Sequence, residues 1–291
     1  MDLIETYNEI LKREEDSTIK LLNKTLDKSF SRLIRRTRVW LRLGRKGEVA
    51  RRNVSLLQEF RQLVPAVNPN RTDAYDRLFR NMLTDASNRG VDLSDAMMGQ
   101  MSPGKPRVDV SIPLEAVTAA ARQAKGYLRR HGDTFASTSA EIVAQGIAEG
   151  RPTDEMVSEM QGRLKVVKSR AEVIVRTESL RAYNDASNTY YSQQGVDYVV
   201  WYATSDDRTC PVCAPRAGEV FKRQEVRVPV HPRCRCYLAP YDKELAEMDD
   251  DYAKFPERHK AEVARETGIT LSDDLTKAVF ESNTPKAVSI D

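Results

Sequence analysis

The segment CPVCAPRAGEVFKRQEVRVPVHPRCRC, residues 210–236, contains every cysteine of the chain. Cys210 and Cys213 form a Cys-x-x-Cys pair, and His231 and Cys234 repeat that spacing after 17 intervening residues. Such a pair on a tight turn holds two ligand atoms at adjacent corners of a tetrahedron. Cys236 is a fifth donor, so the segment predicts a metal site that uses four of these five side chains.

Zinc is the expected ion, because thiolates and an imidazole in tetrahedral geometry select it. A disulfide framework would spread its cysteines along a secreted chain, whereas the other 264 positions here have none. Residues 201–240 hold few large apolar side chains, so we expect the zinc to stabilise this part of the chain. Buried thiols without a metal, or a disulfide, are the alternatives.

A catalytic role for this metal is not favoured by the sequence. The His-Glu-x-x-His pattern of zinc proteases is absent, and the order of elements is the reverse of that in the zinc deaminases. The two remaining histidines, His131 and His259, are isolated and are expected at the surface. The Asp-Asp-Arg-Thr run before Cys210 is expected to cap a turn.

Upstream of the cysteines the hydrophobic pattern is helical. Apolar residues three and four apart predict one long helix over 2–43, then helices over 49–63, 72–87, 114–130, 134–148, from 153 onwards and over 169–194. Glycines and prolines between 97 and 113 predict a linker. Residues 196–203 read as a strand, 204–240 as short strands and turns, and the part after 240 as weakly helical. The expected fold is mainly α, with a small α+β module of short β-hairpins around the metal site.

Charge divides the chain further. Net charge is +6 over residues 1–113, +3 over 114–240 and −6 over 241–291. We therefore expect a basic helical arm or domain over 1–112, a domain over 113–240 with the Cys/His site at 201–240, and an acidic tail over 241–291. With 40% hydrophobic residues the chain is not purely disordered, and no apolar run is long enough for a membrane span. No secretory signal is expected at its start.

Two clusters of basic residues predict contacts with the phosphates of double-stranded DNA, without sequence readout. The predicted contact residues are Arg35, Arg36, Arg38, Arg42, Arg45 and Lys46, together with Arg223, Arg233 and Arg235. The alternative is that they form solvated helix faces or stabilise a helix C-terminus.

Four motifs together resemble the phage Mu F-like minor head protein family. They are Arg-Thr-Glu at 176–178, the run WYATSDDRTCPVC at 201–213, Gly-Glu-Val-Phe at 218–221, and HPRCRC at 231–236. The resemblance covers about residues 115–240. It implies a metal-binding or fold-stabilising role for Cys210, Cys213, His231, Cys234 and Cys236. The roles of Arg176 and Glu178 stay open, although an ion pair between Glu172 and Arg176 is expected from their spacing.

The resemblance implies a structural head protein of a tailed bacteriophage, not an enzyme, that acts in head assembly at the portal or in the capsid interior. The implied partners are the portal protein, the major capsid protein or both, with packaged DNA and no membrane. Several copies would be present per virion, assembled in the cytoplasm of the bacterial host. Two alternatives remain: a metal-dependent nuclease or transferase, and a zinc-containing DNA-binding protein. An open coordination position would favour the first, and a base-reading helix beside the metal the second.

Overall fold

A computed structural model describes residues 3–44, 73–206 and 208–269 of the chain. Four long helices come first in these ranges: α1 (Leu3–Gly44), α2 (Asp73–Met101), α3 (Leu114–Ala148) and α4 (Thr153–Gln193). Three short strands follow: β1 (Tyr198–Tyr202), β2 (Val220–Lys222) and β3 (Tyr237–Tyr241). The short helices α5 (Lys243–Met248), α6 (Asp250–Ala253) and α7 (Phe255–Thr267) come last. This confirms the predicted fold class, mainly helical with a small antiparallel sheet near the C-terminal end.

Helix α1 agrees with the predicted helix 2–43, whereas the predicted helix 49–63 lies outside the described residues. The later helices are longer than the sequence indicated. The helix predicted over 72–87 runs on to Met101, so the non-helical linker begins at Ser102 rather than at residue 97. The helices predicted over 114–130 and 134–148 form one continuous helix, α3. The helix predicted from 153 onwards and the one predicted over 169–194 likewise form one helix, α4.

Tertiary packing explains why these helices continue through weak positions. Gly132 lies inside α3, where local propensity favours a break. Leu128 before it and Phe135 and Ala136 after it are all buried, so both halves of the helix face the same core. Most helical stability in proteins comes from such a buried face, and a single glycine costs less than the packing contributes.

The described residues group into two compact units. Those of Met1–Leu11, Thr84–Leu114 and Ser179–Asp291 form one unit, and those of Lys12–Leu83 and Glu115–Glu178 form the other. Each unit is assembled from separate stretches of chain. The division into 1–112, 113–240 and 241–291 therefore stays a prediction about the sequence. No helix in the described ranges is long and apolar enough to cross a membrane.

The unit formed by 12–83 and 115–178 is helical where it is described, apart from the short connection at 149–152. Leu22, Leu26 and Leu33 form the buried stripe of α1, at the spacing that a helix requires. The rings of Phe30 and Phe135 meet edge to face with centroids 6.1 Å apart, joining α1 to α3. The apolar stripe of α1 therefore packs against other parts of this chain.

The other unit contains the sheet, whose strand order is β2-β1-β3 with both neighbours antiparallel to β1. Strand β1 is buried on both faces. Val199 and Trp201 belong to the main core, and Val200 packs with Val220 and Tyr241 on the opposite face. The period of two in a strand accounts for this alternation.

Helices α2 and α4 approach closely at Gly90, within the same unit as the sheet. A Cβ atom placed on Gly90 would lie 2.2 Å from the backbone oxygen of Tyr183. The Ser187 hydroxyl donates to the Gly90 carbonyl at 3.0 Å, and the Ser94 hydroxyl donates to the same oxygen at 2.7 Å. Because Gly90 has no side chain, the two helices can lie this close together.

Replacing Gly90 with alanine tests this contact. We expect Gly90→Ala to lower the free energy of unfolding by about 2 kcal/mol, because backbone must shift to admit the methyl group. Gly162→Ala is the matched control, since Gly162 is a helical glycine with nothing within 4 Å of its Cβ position. That control should gain about 0.5–1 kcal/mol from helix propensity. Equal effects of the two substitutions in urea unfolding would contradict the close approach.

Candidate metal centre

Two tight turns carry the predicted ligand pairs. The backbone N–H groups of Cys213 and Ala214 both donate to the carbonyl of Cys210, each at 3.0 Å. The N–H of Cys234 donates to the carbonyl of His231 at 3.2 Å. In this second turn Pro232 is followed by Arg233 at φ 60°, the pattern of a type II turn with its left-handed third position.

The sheet brings these two turns to the same place. Tyr202 at the end of β1 pairs with Tyr237 at the start of β3. The loop that leaves β1 carries Cys210 and Cys213, and the loop that enters β3 carries the other three donors. Because both loops meet the sheet at one end, residues more than 20 positions apart become neighbours.

All five predicted donors converge at this end of the sheet. His231 Nε2 lies 3.0 Å from Cys210 Sγ and 3.1 Å from Cys213 Sγ, and Cys213 Sγ lies 3.9 Å from Cys234 Sγ. The ligand atoms of Cys210, Cys213 and His231 all lie within 4.8 Å of one another, as do those of Cys213, Cys234 and Cys236. Cys213 belongs to both groups and is therefore central.

Burial increases from one side of the cluster to the other. Cys210 and His231 are half-buried at its mouth, whereas Cys213, Cys234 and Cys236 are buried. Cys236 is also held through its backbone, since the Nδ2 of buried Asn184 on α4 donates to its carbonyl at 3.3 Å. A ligand would therefore enter from the side of Cys210 and His231.

Hydrogen bonding within the cluster favours thiolates. Hydrogen bonds from Cys213 and His231 lower the pKa of Cys210 to about 4, and hydrogen bonds from Cys213 and Cys236 lower the pKa of Cys234. The pKa of Cys213 is raised because its thiol hydrogen bonds to Cys210 and Cys234. Hydrogen bonds to Cys210 and Cys234 raise the pKa of His231 to about 10. A bound metal requires neutral imidazole, so binding would release the proton of His231.

These donors fit a tetrahedral zinc ion. Zinc–sulfur bonds of about 2.3 Å at tetrahedral angles place two thiolates about 3.8 Å apart, which matches the Cys213–Cys234 distance of 3.9 Å. The sulfur–Nε2 distances of 3.0 and 3.1 Å are about half an ångström shorter than zinc requires, so His231 would move outward slightly. The Nδ1 of His231 lies 2.9 Å from the carbonyl of Pro232, a contact that leaves Nε2 free to ligate.

Arg216 is a site residue that the sequence did not single out. It follows the Cys210–Cys213 turn directly, is only 5% exposed, and places its guanidinium 5.0 Å from the ring centroid of Trp201. Burial lowers its pKa, whereas Glu219 and the thiols of Cys213 and Cys236 favour its charged form. A buried cation thus lies beside the thiol cluster, and position alone in the sequence could not reveal it.

The run before Cys210 also has a structural role. Asp206 accepts from the backbone N–H of Arg208 at 2.9 Å, which is the expected turn-capping contact. Both carboxylate oxygens of Asp206 also accept from the guanidinium of Arg235. The Thr204 hydroxyl donates to the carbonyl of Arg235 at 2.7 Å. These contacts join the loop after β1 to the residue between Cys234 and Cys236.

His259 is not at the surface, contrary to the sequence-based expectation. It is 2% exposed, its Nε2 accepts from the backbone N–H of Ala203 at 3.1 Å, and its ring stacks on Tyr202 with centroids 3.8 Å apart. Helix α7 is thereby attached to the end of β1 where the cluster begins. The aromatic stack on Tyr202 also includes Tyr237, at 4.6 Å.

The Arg-Thr-Glu segment of α4 contains a separate ion-pair network, in the helical unit. Arg176 donates to Glu172 at 3.2 Å, as its i,i+4 spacing predicted, and also to Glu15 at 3.0 Å and Asp16 at 2.8 Å on α1. Glu178 is buried at 4% exposure. Arg176 therefore links α1 to α4, a contact that spans 160 positions of sequence.

The predicted DNA-contact residues of the first cluster, 35–46, differ in how far the structure describes them. Arg35 is exposed, whereas Arg38 donates to Asp154 at 3.0 Å. The side chains of Arg36 and Arg42, and the whole of Arg45 and Lys46, lie outside what the structure describes.

The three predicted contact residues near the cluster also have different surroundings. Arg223 donates to the carbonyl of Val196 at 2.9 Å and to Asn188 at 3.3 Å, and Arg235 is paired with Asp206. Arg233 is exposed on its turn. The guanidinium groups of Arg223 and Arg235 thus support the local fold.

The fold and the site together define a class of protein. It is mainly helical, and its small sheet brings four thiols and one imidazole together. The family model described as Phage Mu protein F like protein matches residues 138–239, a segment that ends within β3 and includes all five donors. The predicted resemblance is confirmed over this segment, which is similar to the Mu F-like phage head morphogenesis proteins. That family is a phage structural and morphogenesis family, which points to a phage head-related role and to capsid-assembly partners in general.

No curated protein and no solved structure matches the chain.

Substitution of Asp206 tests the contact between the two ligand loops. We expect Asp206→Asn to lower the free energy of unfolding by about 1–2 kcal/mol at pH 7, because the charged hydrogen bonds to Arg235 are lost. Arg235 holds the pKa of Asp206 well below its usual value. The contribution is therefore complete above about pH 4 and is lost as the pH falls further. Urea unfolding of wild type and variant at pH 7 and pH 3 measures it.

Asp109→Asn is the matched control for that substitution, since Asp109 is exposed and lies in the linker. A change as large in the control as in Asp206→Asn would rule out a specific role for the Asp206–Arg235 pair.

Glu15 is expected to give the free energy of unfolding a pH dependence opposite in sign to that given by Asp206. Burial raises its pKa to about 7 even though Arg176 is adjacent. The folded chain therefore binds this proton more tightly than the unfolded chain, and stability falls as the pH rises from about 4.5 to about 7. We expect Glu15→Gln to remove that part of the slope, of the order of 1–3 kcal/mol, whereas Glu141→Gln on the exposed face of α3 should keep it. If the free energy of unfolding of Glu15→Gln fell with pH as steeply as that of wild type, the raised pKa assigned to Glu15 would be contradicted.

Proposed function

We propose that the protein is a structural minor head protein of a tailed bacteriophage. In this role it acts in head assembly at the portal or in the capsid interior, in several copies per particle, after synthesis in the host cytoplasm. The observation that carries the proposal is the match of residues 138–239 to the Mu F-like family, together with the convergence of all five donors of that segment. Portal protein, major capsid protein or both are the proposed protein partners.

A structural zinc ion is the second part of the proposal. The proposed ligands are Cys210, Cys213, His231 and Cys234, because His231 contacts the first two directly and hydrogen bonds to Cys234, which lies 3.9 Å from Cys213. Cys236 lies deeper and serves as a buried thiol beside Trp201. Four protein ligands leave no open position, which is typical of a structural rather than a catalytic site.

The packing of the strands and loops around the donors limits the structural role that a zinc ion would have. Residues between β1 and β3 do not form an isolated module, since Trp201, Phe221 and Tyr237 are buried in one core with Tyr183 and Tyr190 of α4. The few large apolar side chains of this part are therefore buried against α4 rather than in a core of their own. The zinc would order the two ligand loops, and the helices would stay folded without it.

Neither alternative function gains support from this geometry. A zinc-containing DNA-binding regulator needs a helix that presents side chains beside the metal, but the chain after Cys236 continues as strand β3. A metal-dependent nuclease or transferase needs an open coordination position, which the proposed four-ligand set does not leave.

Metal content tests the zinc part directly. Protein purified without chelator is expected to contain one zinc per chain by mass spectrometry. Cys210→Ser/Cys213→Ser should lose the metal and the order of the ligand loops, seen as amide exchange over 203–236, while far-UV circular dichroism stays largely helical. Cys236→Ser is the matched control and should keep the metal. Wild-type protein without metal would overturn the zinc proposal, and loss of zinc from Cys236→Ser would overturn the assigned ligand set.

Particle composition tests the head-protein part. Purified, nuclease-treated phage heads are expected to contain the protein, detected by a specific antibody at several copies per particle. Its presence only in the soluble fraction of infected cells, and not in heads, would overturn this part whatever the metal result.

A further inference from the structure

A row of basic side chains follows one exposed face of α1, apart from the metal centre. The spacing of four, four, four and three residues keeps them on one side of the helix, about 6 Å apart along its axis and about 22 Å in total. We call this row the α1 basic face; its members are Lys20, Lys24, Lys28, Arg32 and Arg35, each exposed. They line a shallow groove whose other lining residues are Asp16, Ile19, Asn23, Asp27 and Ser31.

The acidic residues that would neutralise this row are engaged elsewhere. Asp16 pairs with Arg176 at 2.8 Å, and Asp27 pairs with Lys168 at 2.6 Å, both on α4. Within the described ranges, the five members of the α1 basic face form no ion pair. Like charges at i,i+4 destabilise a helix, so the row favours an anionic partner that supplies the missing countercharge.

We propose that the α1 basic face binds the phosphate backbone of double-stranded DNA. This inference rests on the proposed function, in which the protein lies where packaged DNA can reach it. Of the predicted DNA-contact residues only Arg35 belongs to this face, and the other four members are new.

The composition of the groove favours nucleic acid over a protein partner. Three of the five members are lysine, a residue type depleted from protein–protein interfaces, and no aromatic side chain lines the groove. Each DNA strand presents a phosphate every 3.4 Å or so of axis, so a row of about 22 Å spans about seven base pairs. Point charges on flexible stems neutralise phosphates without fixing a base sequence. The binding is therefore non-specific and depends on salt.

The salt dependence has an expected size. Five phosphate contacts correspond to a slope of about −4.5 in the plot of log affinity against log salt concentration. Affinity then falls about 500-fold between 50 and 200 mM salt. Removing three of the five charges should reduce the slope to about −1.8.

The experiment uses the full chain and a 30-base-pair duplex of random sequence, with binding followed by fluorescence anisotropy over a series of salt concentrations. The test variant is Lys24→Gln/Lys28→Gln/Arg32→Gln. The matched control is Lys105→Gln/Arg163→Gln/Lys165→Gln, which removes the same charges from exposed positions outside α1. A third variant, Lys24→Arg/Lys28→Arg, keeps the charge and should bind as wild type does. Circular dichroism verifies that each variant is folded.

We expect the test variant alone to lose at least tenfold in affinity at 50 mM salt and to show the smaller slope. Equal losses in test and control variants would overturn the assignment to α1, and unchanged affinity in the test variant would overturn it as well. If the test variant keeps its DNA affinity but no longer binds immobilised poly-glutamate, the face binds acidic protein and the proposal fails. Detection of the protein in heads stands apart from all of these outcomes, so the two proposals can fail separately.

Discussion

Burial of the middle strand on both faces is the constraint on which the metal centre depends. Val199 and Trp201 pack into one core and Val200 into another, so β1 cannot shift its register without moving a large side chain out of its core. Because β3 runs antiparallel to this strand, the loop that leaves β1 and the loop that enters β3 meet at the same end of the sheet. The packing of Trp201 and its neighbours therefore places the loops that carry the thiols side by side.

Charge then determines how this end of the sheet is built. The lowered pKa values of Cys210 and Cys234 favour negative charge in a partly buried place, which costs free energy unless a cation lies close. Buried Arg216 supplies such a cation beside the cluster. Arg235 lies between two cysteines and binds Asp206, thereby fixing the loop that leads to Cys210. The basic residues around the cysteines therefore include several that serve the fold, which a count of charges cannot distinguish from a phosphate-binding patch.

Helix α1 illustrates the same distinction on a larger surface. Its leucines face the core, its carboxylates at Asp16 and Asp27 bind cations on α4, and its lysines are left exposed. An i,i+4 arrangement of lysines and aspartates would by itself indicate a helix face neutralised within the helix. Here the two aspartates pair with cations on the neighbouring helix instead. The α1 basic face results from this tertiary contact.

The sequence by itself determined the Cys/His constellation, the long first helix, the strand before the cysteines, the Glu172–Arg176 pair and the family resemblance. These follow from local spacing, since ligand pairs, turns and helical periodicity depend on residues a few positions apart. Tertiary structure alone decided that α3 and α4 run unbroken and that His259 is buried against Tyr202. It also decided that Arg176 reaches Glu15 and that Arg216 lies beside the thiols. Each of these depends on side chains far apart in sequence, whose contact free energy exists only once the helices and the sheet have packed.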